Sequence, residues 1–139
     1  MTASAAADPW ARLRPVPGVR AIRIAFRTAH LAAFAILYGG HWHDVPAARL
    51  APALLATLAT GGALVALEIY RAPVWPLQVR GVATMLKVVL VATVGLAWSA
   101  RLWLLTAAMV IGGVSSHMPG RFRYYSLVHG RVVGGVERG

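Results

Sequence analysis

The sequence predicts an all-α fold: an integral membrane bundle of four transmembrane helices, up-down in topology, with both termini cytoplasmic. Three observations carry that expectation. Of 139 residues, 58% are hydrophobic and only 13% charged, against about 25% charged in an ordinary soluble domain. The apolar residues, which give a mean hydropathy of +0.64, gather into four runs near the roughly 20 residues a membrane-crossing helix needs. The basic residues between those runs fall mostly on one side.

The first helix is expected at residues 22–42, with Gly39-Gly40 and Pro46 loosening its end. The second is expected at 50–70, and "RAPVWP" separates it from a third at 79–98. The fourth, at 102–117, stops before Pro119-Gly120. Only "SAR" stands between the third and fourth, so those two form a tight antiparallel hairpin. The domains are then a cytoplasmic or interfacial N-terminal segment at 1–21, a transmembrane domain at 22–118, and a basic, aromatic cytoplasmic tail at 119–139. Segment 10–23 is short and proline-broken, so it should lie along the inner surface rather than cross. The opening "MTASAAADPW" has no apolar core before its basic residues and is not expected to be a secretory signal.

Orientation follows from Lys and Arg. Arg12, Arg14, Arg20, Arg23 and Arg27 flank the first helix, Arg71 and Arg80 the second loop, and Arg121, Arg123, Arg131 and Arg138 lie in the tail. The opposite loops hold only Arg49 and Arg101, and Lys87 lies within the third helix. Basic residues stay on the cytoplasmic side, which predicts cytoplasmic termini and points to a bacterial inner membrane. This pattern, with no single basic surface, also argues against nucleic acid as a partner. Trp42, Trp98 and Trp103 should mark the outer interface, and Tyr70, Trp75, Tyr124 and Tyr125 the inner one.

The absence of cysteine excludes disulfides, thiolate metal sites, c-type haem attachment and iron–sulfur ligation. Four acidic residues leave little for hydrolytic chemistry, and there is no phosphate loop or Ser–His–Asp set, so no catalytic activity of its own is expected. Charged and polar groups inside a span cost about 2.5–3.5 kcal/mol and are functional candidates. His30 and Lys87 each fall about 12 Å from the inner end of their helices and Glu68 about 3 Å, at 1.5 Å per residue. His117 closes the fourth helix on the same side.

These four are the candidate cofactor residues. A neutral histidine, a lysine and a carboxylate can hydrogen-bond a quinone headgroup, and two histidines can ligate haem b. A depth difference of about 6 Å between His30 and His117 argues against one shared iron. The plain alternatives are a hydrogen-bonding His30, a snorkelling Lys87, a Glu68 that pairs with Lys87, and a His117 that ends its helix. On the outer side, "HWHD" offers His41, His43 and Asp44 as copper or zinc ligands, or as a polar cap.

"HLAAFAILYGG", "TGGALVALEIY" and "LKVVLVATVG" resemble the four-helix units of CopD-like membrane proteins over about residues 28–98. The matching positions are His30, Gly39-Gly40, Gly61-Gly62 and Lys87. The resemblance implies copper handling, as uptake or resistance, or a haem-like redox membrane module. The tail "RFRYYSLVHGRVV" lies outside it. That segment alternates basic, aromatic and apolar residues and needs a protein partner, or the bilayer, to cover Phe122, Tyr124, Tyr125, Leu127, Val132 and Val133. The chain is therefore expected to be a small membrane subunit of a larger energy-transducing or redox complex, with other subunits and lipid as partners. Copper handling through His41, His43 and Asp44 is the alternative.

Overall fold

The computed structural model describes residues 13–133. Trp10, Arg12 and Arg138, which figured in the interfacial and charge expectations, lie outside the described residues. The chain is mainly helical. Helix α1 spans Val19–Trp42, α2 Ala47–Arg71, α3 Val79–Ala92 and α4 Arg101–His117, followed by a single turn α5 at Gly120–Arg123. Two short strands, β1 (Tyr125–Ser126) and β2 (Arg131–Val132), close the described chain as an antiparallel pair.

Local chemistry explains the boundaries. α1 begins after Gly18, whose φ of 65° is a left-handed conformation that glycine adopts freely. At its far end the chain reverses over four residues. Asp44 takes φ 52°, Val45 N–H donates to the Gly40 carbonyl at 2.9 Å, and Pro46 precedes the first turn of α2. Pro52 lies inside α2 at its sixth residue, where its missing N–H leaves the Ala48 carbonyl without its usual helical partner.

The third helix is shorter than the expected 79–98. Its α-helical part ends at Ala92, then tightens into a 3-10 turn at Thr93–Gly95 and another at Trp98–Ala100 before α4. The Thr93 hydroxyl donates to the Leu90 carbonyl at 2.9 Å, a bond that competes with the helical ladder. By length and composition three helices can cross a membrane: Val19–Trp42, Ala47–Arg71 and Trp98–His117. α3, with 14 residues, rises only about 21 Å at 1.5 Å per residue.

α1 packs along α2 and α3 along α4; α1 and α4 touch more lightly, while α2 and α3 make no extended contact. The core joining these hairpins is Leu37, Leu50, Val91, Val94, Leu105 and Ala108. Tyr38 and Thr106 share a hydrogen bond of 3.1 Å between α1 and α4. Close approach of α1 and α2 depends on Gly40, where a Cβ would stand 2.2 Å from the Leu50 Cδ2. Large apolar side chains point outward instead of in: Leu31, Ile36, Leu55, Val89, Leu96 and Trp103 are all well exposed. That is the surface of a protein whose solvent is hydrocarbon, and the chain is a membrane protein.

The tail folds back on the α2–α3 turn and covers only part of its apolar surface. β1 forms a bridge to Gln78, and the Leu127 N–H donates to the Leu77 carbonyl at 2.9 Å. The Gln78 side-chain amide donates to the Val133 carbonyl at 2.6 Å. Together these seal Val74, Trp75, Gln78, Ser126 and Val133 in a small second core. Trp75 is thus buried at 4% exposure and is not the interfacial anchor expected of it. Phe122, Tyr125, Leu127, Val128 and Val132 stay on the outer face of this cap.

Candidate functional site

Glu68 stands in the last turn of α2, where three helix ends meet. One carboxylate oxygen accepts from Arg23 of α1; the other faces the Arg80 guanidinium of α3 at 3.6 Å. Both oxygens are engaged, so Glu68 is not presented to a ligand, and its partners are arginines rather than Lys87. Arg80 also lies over the Tyr124 ring, 4.7 Å from its centre, which links the carboxylate to the tail. Arg14 reaches the same end, with its N–H on the Arg71 carbonyl at 2.8 Å and its guanidinium 5.2 Å from the Tyr70 ring centre.

His30 lies between α1 and α2. Its Nδ1 is 3.0 Å from the Thr57 carbonyl and 3.1 Å from the Thr60 hydroxyl oxygen. A carbonyl can only accept, so Nδ1 carries the proton and donates. The Thr60 hydroxyl spends its own proton on the Ala56 carbonyl at 2.6 Å. Space for the ring comes from Gly61, where a Cβ would meet His30 Cε1 at 3.0 Å. Histidine, two threonines and a glycine thus form one latch, and only the histidine stood out in the sequence. The helical spacing of Thr57, Thr60 and Gly61 on one face of α2 was the available signal.

Lys87 takes a different position, laid along α4 with its Nζ 3.8 Å from where a Gly112 Cβ would be. It lies within electrostatic reach of Arg27 and His30. His117 ends α4 and is exposed. The four inner candidates therefore do not form one cluster, and only His30 and Lys87 come within electrostatic reach of each other. Glu68 is clamped, His30 is latched to α2, Lys87 lies on α4, and His117 faces outward.

The outer trio also separates. Asp44 pairs with Arg101 at the start of α4, His43 is exposed, and His41 is buried against the edge of Trp98, ring centres 5.2 Å apart. Among the described residues no three His, Asp or Glu side chains form a group that could hold a metal ion. Comparison with known proteins finds no matching family model, no matching curated protein and no matching solved structure.

Proposed function

We propose that this chain is a small integral membrane subunit of a larger membrane energy-transducing or redox complex, with an assembly role and no chemistry of its own. It crosses a bacterial inner membrane four times, up and down, with both termini cytoplasmic. The excess of arginine at the Glu68 end supports that orientation. α3 serves as the fourth span together with its 3-10 extension, the two rising about 27 Å, close to the roughly 30 Å hydrocarbon core.

One observation carries the assembly role: the ordered cap on the α2–α3 turn. Its inner side is sealed by Gln78, Trp75 and Val133. Its outer side shows Phe122, Tyr125, Leu127 and Val128 beside Arg121 and Arg123. Aromatic and apolar residues rimmed by arginine are the composition of a protein interface, and a pre-ordered surface binds with less entropy loss than a free tail.

The test is a photo-activated cross-linker at Val128 in native membranes, combined with purification in mild detergent. A protein adduct is expected, its partner the chain that copurifies. The same partner should be lost from a Val128→Asp variant that still folds. Adducts to lipid alone, or migration as a single chain in the mildest detergent, would overturn the reading.

A further inference from the structure

The Glu68 end of the bundle carries far more positive than negative charge. Among the described residues its one carboxylate is Glu68, already shared by Arg23 and Arg80, while Asp44 pairs with Arg101 at the other end. The side chains of Arg20, Arg27 and Lys87 have no ion pair or hydrogen bond to any described residue. Arg20 and Arg27 are exposed and lie two turns apart on one stripe of α1. Lys87 comes from α3 but is laid on α4, its Cδ and Nζ 3.6 and 3.8 Å from where a Gly112 Cβ would be. Its ammonium is within electrostatic reach of Arg27. Unlike His41 Nδ1 or Arg71 Nε, it is not sealed from its surroundings, so an incoming group can touch it.

Depth and direction identify that group. Arg27 and Lys87 each stand about 12 Å into their helices at 1.5 Å per residue, where two like charges without an anion are unfavourable. α1 and α3 both start at the Glu68 end, and helical side chains lean toward the N-terminus of their own helix. Both cations therefore lean toward the same membrane surface, the one Arg20 flanks, with their methylene stems in apolar contact on the way. At that surface the bilayer itself supplies anions, the phosphates of its phospholipids. A carboxylate from another subunit would have to be carried into the span and desolvated there. We infer that Arg20, Arg27 and Lys87 form a binding site for one anionic phospholipid, its phosphate held by Arg27 and Lys87 beside α4. Arg27 offers a planar fork for two phosphate oxygens and Lys87 a point charge. Arg20 selects a headgroup of net negative charge, because a choline or ethanolamine would bring its own cation against it. Leu31, one turn beyond Arg27 and 67% exposed, continues the stripe as an apolar track for an acyl chain. The site rests on α3 crossing the membrane with the other helices, and it needs no partner subunit.

The experiment titrates the purified full chain in a non-ionic detergent with phosphatidylglycerol or phosphatidylcholine of identical acyl chains, and reads bound lipid by native mass spectrometry. Phosphatidylglycerol should bind saturably and at least about tenfold more tightly than phosphatidylcholine, or about 1.4 kcal/mol. Arg27→Gln and Lys87→Met should each weaken it about fivefold, the equivalent of about 1 kcal/mol per basic side chain at a membrane surface. Arg14→Gln removes an exposed arginine of the same end, held over the Tyr70 ring, and should leave affinity unchanged. Equal binding of the two lipids, or an equal loss in Arg14→Gln, would overturn the proposal, since a diffuse field would then replace a site. So would displacement of the lipid by inorganic phosphate beyond that by chloride at equal ionic strength, which would assign the site to free phosphate. A complex isolated from native membranes with its partner but no anionic lipid would also overturn it, because another subunit's carboxylate would then answer the pair. If Lys87→Met does not fold, Arg27→Gln, at an exposed position, decides alone. Lipid selectivity is read on the single chain, so its failure leaves the assembly role standing, and loss of the partner leaves the selectivity intact.

Discussion

Replacing Glu68 with Gln removes the one carboxylate that Arg23 and Arg80 share. At 3.6 Å the Arg80 pair alone has an attraction of about 4–5 kcal/mol at an effective dielectric constant of about 20. Lost hydration offsets much of it. Exposed pairs are worth about 0–1 kcal/mol and breaking buried ones costs about 3–5 kcal/mol. Here the side chains are 32%, 15% and 19% exposed for Arg23, Glu68 and Arg80, between those limits. The expected loss is about 2 kcal/mol, because two guanidinium groups lose their counter-charge at once. By the size scaling of unfolding entropy that lowers the Tm by roughly 4–8 °C. Thermal unfolding of the detergent-solubilised chain, followed by helical circular dichroism, measures it. Arg23→Gln and Arg80→Gln should each cost less, since Glu68 keeps its other partner. If Glu68→Gln melts with the wild type, or if either arginine variant costs more, the shared-carboxylate account is wrong.

Three further outcomes are expected. Gly81→Ala should abolish a monodisperse gel-filtration peak, because its Cβ would stand 2.0 Å from the Trp75 carbonyl oxygen, a backbone clash worth at least about 3 kcal/mol; Gly62→Ala, with nothing within 4 Å, should survive. His30→Asn supplies an N–H for the Thr57 carbonyl and should hold its Tm near wild type, whereas His30→Leu should lose about 1 kcal/mol or more by thermal unfolding; equal loss in both would remove the latch from the account. In intact cells, Ala48→Cys should react with a membrane-impermeant thiol reagent and Val128→Cys should not, and the reverse pattern would invert the topology.

Much of the helical layout was legible from apolar run length. α1, α2 and α4 begin within three residues of expectation and end within one, since hydrocarbon-facing helices announce themselves by hydrophobicity alone. The third helix was harder to bound. "TVGLAW" is as apolar as what precedes it, and the early end rests on a threonine hydroxyl and local backbone competition. The pairing of Glu68 was not legible either. Arg23 is 45 positions away and Arg80 is across a loop, so the choice depends on how the helix ends align. Proximity along the third helix made Lys87 look equally suitable. For the tail the signal was composition without contacts, and "alternating basic and aromatic" describes both a free segment and a docked one. His41 and His43 read as a pair in sequence. Yet helical geometry points residues two apart in different directions, burying one and exposing the other.

The bond from Gln78 to Val133 joins residues 55 positions apart, and this imposes an order on biosynthesis. When the ribosome has made the α2–α3 turn, the Gln78 amide oxygen can already accept from Arg80, but its N–H lacks the Val133 carbonyl and Trp75 lacks the tail that covers it. Both must remain so while α3 and α4 are made and threaded. The cap closes only after Val133 has left the exit tunnel, so the bond that ties the tail to the turn forms after the helices are made, on a turn already held by its own backbone bonds. A chain released before that point would leave the Gln78 N–H unpaired beside a Trp75 without its tail cover.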